Sequence, residues 1–99
     1  MNVIFEPIDT QTIRMKVVDQ IVKMIKEGKL SPGSQLPSER AIAEQMGISR
    51  PTVREAVAAL EVVGLVETRS GQGTFVKGGD LENLKVRAEA LFVEERSAF

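Results

Sequence analysis

LPSERAIAEQMGISRPTVREAVAALEVVGLVETRSGQGTFV, residues 36–76, is the stretch that decides the fold of this chain. Ser38 is placed to cap a short helix, which Gly47 is placed to end. After a tight turn, Ser49 is placed to cap a second helix over residues 50–63. The pattern predicts two short helices joined by the turn 47–49.

A β-hairpin is predicted directly after the second helix. Gly64 ends that helix, and the β-branched, alternating segments 65–68 and 74–77 are typical of two strands. Residues 69–73, which contain two glycines, connect them. A helix, a turn, a second helix and a hairpin follow one another in a winged helix-turn-helix.

The flanking segments complete an α+β, mainly α fold of three helices, a two- to three-stranded β-wing and a C-terminal linker helix. Apolar residues at three- and four-residue steps predict a helix over 11–27, with Thr10 as its cap. Residues 35–36 form at most a very short strand, and Asp80 is placed to cap the last helix. The predicted parts are an N-terminal arm (1–9), a winged-helix domain (10–77), and a hinge with a linker helix (78–99).

Each predicted helix has an apolar side. On the two short helices it comprises Ala41, Ile42 and Met46, and then Val53, Ala56, Val57 and Leu60. On the last helix it comprises Leu81, Leu84, Ala88, Leu91 and Phe92. This last stripe is expected to be the exposed stub of a further domain rather than a dimerisation surface, because about two heptads rarely hold a coiled coil.

The charge distribution permits nucleic-acid binding. The chain has a formal net charge of −1, but residues 10–77 hold ten basic and seven acidic side chains, while the two ends hold three and seven. A nucleic-acid footprint depends on where the basic side chains lie rather than on net charge.

Composition argues against an enzyme and against a membrane protein. The chain has no cysteine and no histidine, which removes thiol chemistry, the usual zinc sites and imidazole catalysis. No metal or cofactor is expected. No apolar run approaches the roughly 18 residues of a membrane span, and the N-terminus does not resemble a signal peptide, so a cytoplasmic location is expected.

The outer face of the second helix carries the main candidate site. Arg50, Thr52 and Arg54 lie off the apolar stripe in its first two turns, and the two arginines, four residues apart, project from one face. Arginine can bond guanine O6 and N7 bidentately in the major groove, and threonine can bond a base or a phosphate. A solvated face without function is the alternative, and the turn before this helix and the hairpin after it favour DNA binding.

Three residues beside this helix are further candidates. Arg40 either pairs with Glu44, four residues on, or reaches a phosphate or the groove edge. Ser38 and Ser49 place helix N-termini where backbone N–H groups could receive phosphates, in addition to simple capping.

The hairpin tip is the last candidate. Gly71 and Gly73 allow positive φ and close approach of the backbone to a partner, although an ordinary hairpin turn would use them too. Arg69 adds a donor at the base of the tip. A tip of small residues fits the narrow minor groove.

These residues resemble the N-terminal domain of the GntR family of bacterial transcriptional regulators. The matching pieces are Pro32-Gly33, Leu36-Pro37-Ser38-Glu39-Arg40, Ala43, Gly47 to Arg50, Thr52 to Ala56, Leu60, Gly64-Leu65-Val66 and Gly71 to Val76. The segment SRPTVREAVAALEVVGLVE is most similar to the FadR-type branch of the family.

The resemblance implies sequence-specific DNA binding, as a repressor. It implies that Arg40, Arg50, Thr52 and Arg54 contact DNA and that Gly71 lies at a wing tip in the minor groove. It also implies a homodimer on a palindromic operator, and an effector, a small metabolite, held in a separate C-terminal domain of the parent protein. Residues 80–99 match at most the first helix of that domain, so the homodimer is expected on DNA and is expected to be weak or absent without it. A winged helix used for protein–protein contacts is the alternative, and it would place apolar side chains on the outer face of the second helix.

Overall fold

The computed structural model describes residues 10–97, and the side chains of residues 12–93. The predicted arm, 1–9, lies outside the described residues. In chain order the elements are α1 (Thr10–Lys26), α2 (Glu39–Met46), α3 (Arg50–Val62), β1 (Val66–Arg69), β2 (Gly73–Val76) and α4 (Leu81–Ser97). This order confirms the mainly helical winged helix-turn-helix.

Local signals set the ends of α2 and α3 as predicted. The Ser38 hydroxyl accepts a hydrogen bond from the Ala41 amide at 3.0 Å, and the Ser49 hydroxyl accepts one from the Thr52 amide at 3.3 Å. Gly47 has a φ of 68°, a left-handed conformation that glycine adopts without a steric penalty. These three residues therefore position α3 against α2.

The core lies between α1, α3 and α4, with α2 covering a smaller cluster. Fully buried side chains include Val17 and Val18 from α1, Leu60 from α3, and Leu65 just before β1. Under α2 the buried residues are Ile42, Ala43 and Val53.

The buried side of α2 differs by one position from the prediction. Ala43 is buried, whereas Ala41 is only half-buried. Ala43 and Ile42 lie three and four residues before Met46, so all three share one helical face, while Ala41 lies at its edge. On α3, Ala59 is likewise buried and Val57 is only half-buried.

Helix α4 packs on the domain and is not an exposed stub. Ala88 is 0% exposed and Phe92 is 4% exposed, and both belong to the main core. Asp80 caps the helix, since its Oδ1 accepts a hydrogen bond from the Asn83 amide at 3.3 Å. The apolar stripe of α4 therefore packs against this chain's own α1 and α3, with Ala88 and Phe92 buried and Leu81, Leu84 and Leu91 half-buried.

The wing is a two-stranded antiparallel sheet, and a third segment lies beside β2 on the edge that faces away from β1. Val66 pairs with Val76 and Arg69 pairs with Gly73, so each strand lies one residue nearer the tip than predicted. The predicted short strand at 35–36 is a single bridge between Gln35 and Phe75. β2 is thus bonded on both sides.

Among the described residues, no helix combines the length and the apolar character that crossing a membrane requires.

Candidate nucleic-acid interface

The first two turns of α3 present a polar face outward. Arg50 and Arg54 are exposed and Thr52 is half-buried, while Val53 and Ala56 on the opposite side are buried. The structure therefore places all three predicted α3 residues away from the core and on the outside of the helix-turn-helix.

Arg54 is held by a carboxylate from the neighbouring helix. Its Nε lies 3.1 Å and 3.3 Å from the two carboxylate oxygens of Glu39, and its Nη2 lies 3.1 Å from Oε1. These hydrogen bonds, and then the charge of Glu39, raise the pKa of Arg54 above its ordinary value. The guanidinium remains charged at every relevant pH, with its orientation fixed from one side.

Arg40 lies beside Arg50 and is paired within its own helix. Its Nε lies 3.2 Å from Oε1 of Glu44, four residues on, as the ion-pair alternative predicted. Arg40 and Arg50 also line one shallow depression with Gly47 at the turn. Two arginines from adjacent helices therefore flank the turn. Arg40 is in an ion pair, whereas Arg50 has no ion-pair partner among the described residues.

The two serines are confirmed as helix caps. Ser38 caps α2 and Ser49 caps α3, and the Ser49 hydroxyl also lies 2.7 Å from the hydroxyl of Thr52. Both capping serines are exposed. Phosphate binding at these positions stays a prediction.

The wing places its predicted residues in three different environments. The Arg69 guanidinium carbon lies 4.2 Å from the centre of the Phe75 ring. Gly71, at the tip, has a φ of 74° and open space where a Cβ would lie. A Cβ on Gly73, in contrast, would overlap the side chain of Gln35, so this glycine has an intramolecular role as well.

A second depression joins the wing to the helices. It has a volume of about 380 Å³, and its lining includes Ser38, Glu39, Arg54 and Gly73. The start of α2, the outer face of α3 and the base of the wing tip thus share one concave surface. Its charged lining residues are one arginine, Arg54, and two carboxylates, Glu39 and Glu61.

Within the part of the chain that the structure describes, no cluster of acidic side chains has the grouping of a metal site.

Sequence reasoning missed Glu39 and Gln35. Glu39 lies 15 residues before Arg54, and no helical or strand periodicity links positions so far apart. Gln35 donates from Nε2 to the backbone carbonyl of Gln72 at 2.9 Å, across a separation of 37 residues. In the sequence, only two features pointed to these residues: Glu39 is adjacent to Arg40, and a glycine stands at position 73.

Known bacterial regulatory proteins match most of this chain. The model of the family described as "Bacterial regulatory proteins, gntR family" matches residues 13–76. The chain is 43% identical over 72 residues to the HTH-type transcriptional regulator Mce2R of Mycobacterium tuberculosis, covering 73% of this chain and 30% of Mce2R. It is 46% identical over 70 residues to the HTH-type transcriptional repressor NagR of Bacillus subtilis, covering 71% of this chain and 29% of NagR.

Among solved structures, the chain is similar to the DNA-binding domain of AraR in complex with operator ORR3. The TM-score is 0.60 at 29% identity, over 77% of this chain and 90% of that one. The chain spans about a third of the length of the curated relatives it matches.

Proposed function

The chain belongs to the gntR family of bacterial regulatory proteins, and we propose that it binds double-stranded operator DNA as the DNA-binding part of a transcriptional regulator. In this proposal α3 enters the major groove and the tip of the wing, residues 70–72, enters the adjacent minor groove. A structural neighbour, the DNA-binding domain of AraR, was solved in complex with operator ORR3.

The observation that carries the proposal is the outer face of α3. Arg50 and Arg54 are exposed there, and arginine bonds guanine O6 and N7 bidentately in the major groove. A module for protein–protein contacts would present apolar side chains at these positions instead.

The remaining site residues have supporting roles in the proposal. Arg40 and the helix N-termini at Ser38 and Ser49 bind phosphates, which fixes the register of the domain on the duplex. Thr52, whose hydroxyl lies next to that of Ser49, contacts a base or a phosphate. In the wing, Arg69 contacts the backbone of the DNA, and Gly71 and Gly73 keep the tip thin enough for the minor groove.

The assembly is proposed to be a homodimer on a palindromic operator. One small domain contacts few base pairs, and two copies bound to one duplex multiply the affinity. A repressor is proposed because NagR carries that description. A small-molecule effector belongs to the proposal only for a parent protein with a C-terminal domain. The cytoplasm, where bacterial DNA lies, is the proposed location.

The experiment selects duplexes bound by the wild-type chain from a randomised oligonucleotide library and then titrates variants against the selected duplex. Arg50→Ala and Arg54→Ala are each expected to weaken binding by roughly 1–3 kcal/mol and to relax preference at one base pair per half-site. Arg87→Ala, which removes an exposed arginine from α4, is the matched control and should keep the wild-type base preference.

Folding of each variant is checked by far-ultraviolet circular dichroism. Folded Arg50→Ala and Arg54→Ala chains that both bind with wild-type affinity and preference would refute the placement of α3 in the major groove.

A further inference from the structure

We propose that Glu39 is a positioning residue for sequence reading: its carboxylate holds Arg54 in the orientation in which the arginine bonds a guanine. This inference rests on the proposed function, since it assumes that α3 lies in the major groove.

The geometry of the pair leaves one edge of the guanidinium free. The Glu39 carboxylate accepts hydrogen bonds from Nε and Nη2 of Arg54, which form the side of the planar group. A guanidinium has five N–H donors in a fixed fork. The end of the group, with one N–H each from Nη1 and Nη2, therefore remains available as a parallel pair of donors.

That free edge matches a guanine. In the major groove a guanine presents two adjacent acceptors, O6 and N7, to a bidentate arginine. Because Glu39 occupies only the side edge of Arg54, both interactions can exist together. The carboxylate then limits the rotation of a long side chain before DNA arrives, which lowers the conformational entropy lost on binding.

The position of Glu39 suits it to this role. It is the first residue of α2, where the helix dipole stabilises a negative charge. Its side chain is 34% exposed, against 60% for Arg54, so the carboxylate is the more anchored member of the pair. Arg40 is held differently, through Nε and a carboxylate of its own helix.

An electrostatic brake is the competing explanation. A carboxylate near the phosphates repels DNA and neutralises Arg54, so Glu39 would then lower affinity without affecting which base is read. The two explanations differ in sign. Loss of Glu39 lowers base preference if Glu39 positions Arg54, and raises affinity for the selected duplex, with preference intact, if Glu39 is a brake.

The test compares variants of the 99-residue chain on three duplexes: the one selected by the wild-type chain, single-base-pair variants of it, and an unrelated duplex. Glu39→Gln removes the charge, and Glu39→Asp keeps the charge but shortens the side chain. Glu44→Gln removes the same charge from the same helix without touching Arg54, and so controls for simple electrostatics. Exposed ion pairs contribute little to stability, so these variants are expected to fold.

Both Glu39 variants are expected to lose up to about tenfold in preference at the base pair that Arg54 reads, no more than the loss of one good bidentate contact. Glu39→Gln and Glu44→Gln should both bind the unrelated duplex more tightly, while Glu39→Asp should not. In an Arg54→Ala background, Glu39→Gln should cause no further loss of preference at that base pair.

Two results would overturn the proposal. If both Glu39 variants keep the preference that Arg54→Ala abolishes, Arg54 reads the base unaided and only this inference fails. If Arg54→Ala itself alters no base preference, the proposed function of Arg54 fails and the role of Glu39 fails with it.

Discussion

Replacing Phe92 with alanine tests whether α4 is part of the folded domain. Phe92 is 4% exposed and belongs to the main core, and the guanidinium carbon of Arg14 lies 5.6 Å from the centre of its ring. Val93, the next residue, is 52% exposed and serves as the matched control. The two positions lie in the same helical turn but face opposite environments.

The expected cost follows from burial. Removing a buried phenylalanine side chain destabilises a core by about 3–5 kcal/mol. The lower end applies to Phe92, because α4 is the last described helix and its end can relax toward the space left behind. We therefore expect Phe92→Ala to lower the free energy of unfolding by about 3 kcal/mol. In a domain of this size that corresponds to a fall in Tm of roughly 12–24 °C.

The measurement is thermal and urea unfolding followed by circular dichroism at 222 nm. Val93→Ala is expected to change the free energy of unfolding by less than about 0.5 kcal/mol, as surface substitutions usually do. Equal, small effects of the two substitutions would show that α4 does not pack on α1 and α3 in solution and is a detached linker.

Three further predictions follow from the wing, the surface of α4 and the titration of one carboxylate. Gly71→Val places a β-branched residue at a φ of 74°, so DNA affinity should fall with little loss of helix content; wild-type affinity in a titration would show that the tip stays out of the groove. Because the two most buried residues of the α4 stripe, Ala88 and Phe92, pack in this chain's own core, the free protein should sediment mainly as a monomer at micromolar concentration and dimerise on DNA, whereas a tight dimer without DNA would contradict this. Desolvation, and then the charge of Asp19, raise the pKa of Glu89 against the lowering effect of Lys85. The folded state thus favours the protonated form, and this contribution to stability is lost as the pH rises through the folded pKa. Glu89→Gln should therefore raise the Tm at neutral pH but not at a pH well below 4.5, and an equal effect at both would exclude this titration as the cause.

The parts of the fold that local chemistry specifies were predictable from sequence. Ser38, Gly47 and Ser49 act within a few residues of themselves, so the ends of α2 and α3 followed from their side chains and backbone freedom. The exposure of Arg50 and Arg54 followed from helical periodicity alone.

The parts that depend on distant contacts were not predictable. The apolar stripe of α4 was visible in the sequence, but what covers it depends on how α1 and α3 are oriented. The pairing of Glu39 with Arg54 likewise depends on the angle between two helices. The strands lie one residue nearer the tip because Arg69 pairs with Gly73 there, while Leu65 and Lys77 at the other end keep only a backbone hydrogen bond of 2.8 Å.

The wing is tethered along both edges of its second strand, and this has a thermodynamic consequence. β2 pairs with β1 on one side, and on the other it is bonded to the segment before α2, where the Leu36 amide donates to the Thr74 carbonyl and the Val76 amide donates to the Ser34 carbonyl, each at 2.8 Å. The strands are thus ordered before any partner arrives. The backbone freedom that the wing can lose on binding is confined to residues 70–72. The conformational-entropy cost of ordering the wing on a partner is therefore limited to these three residues.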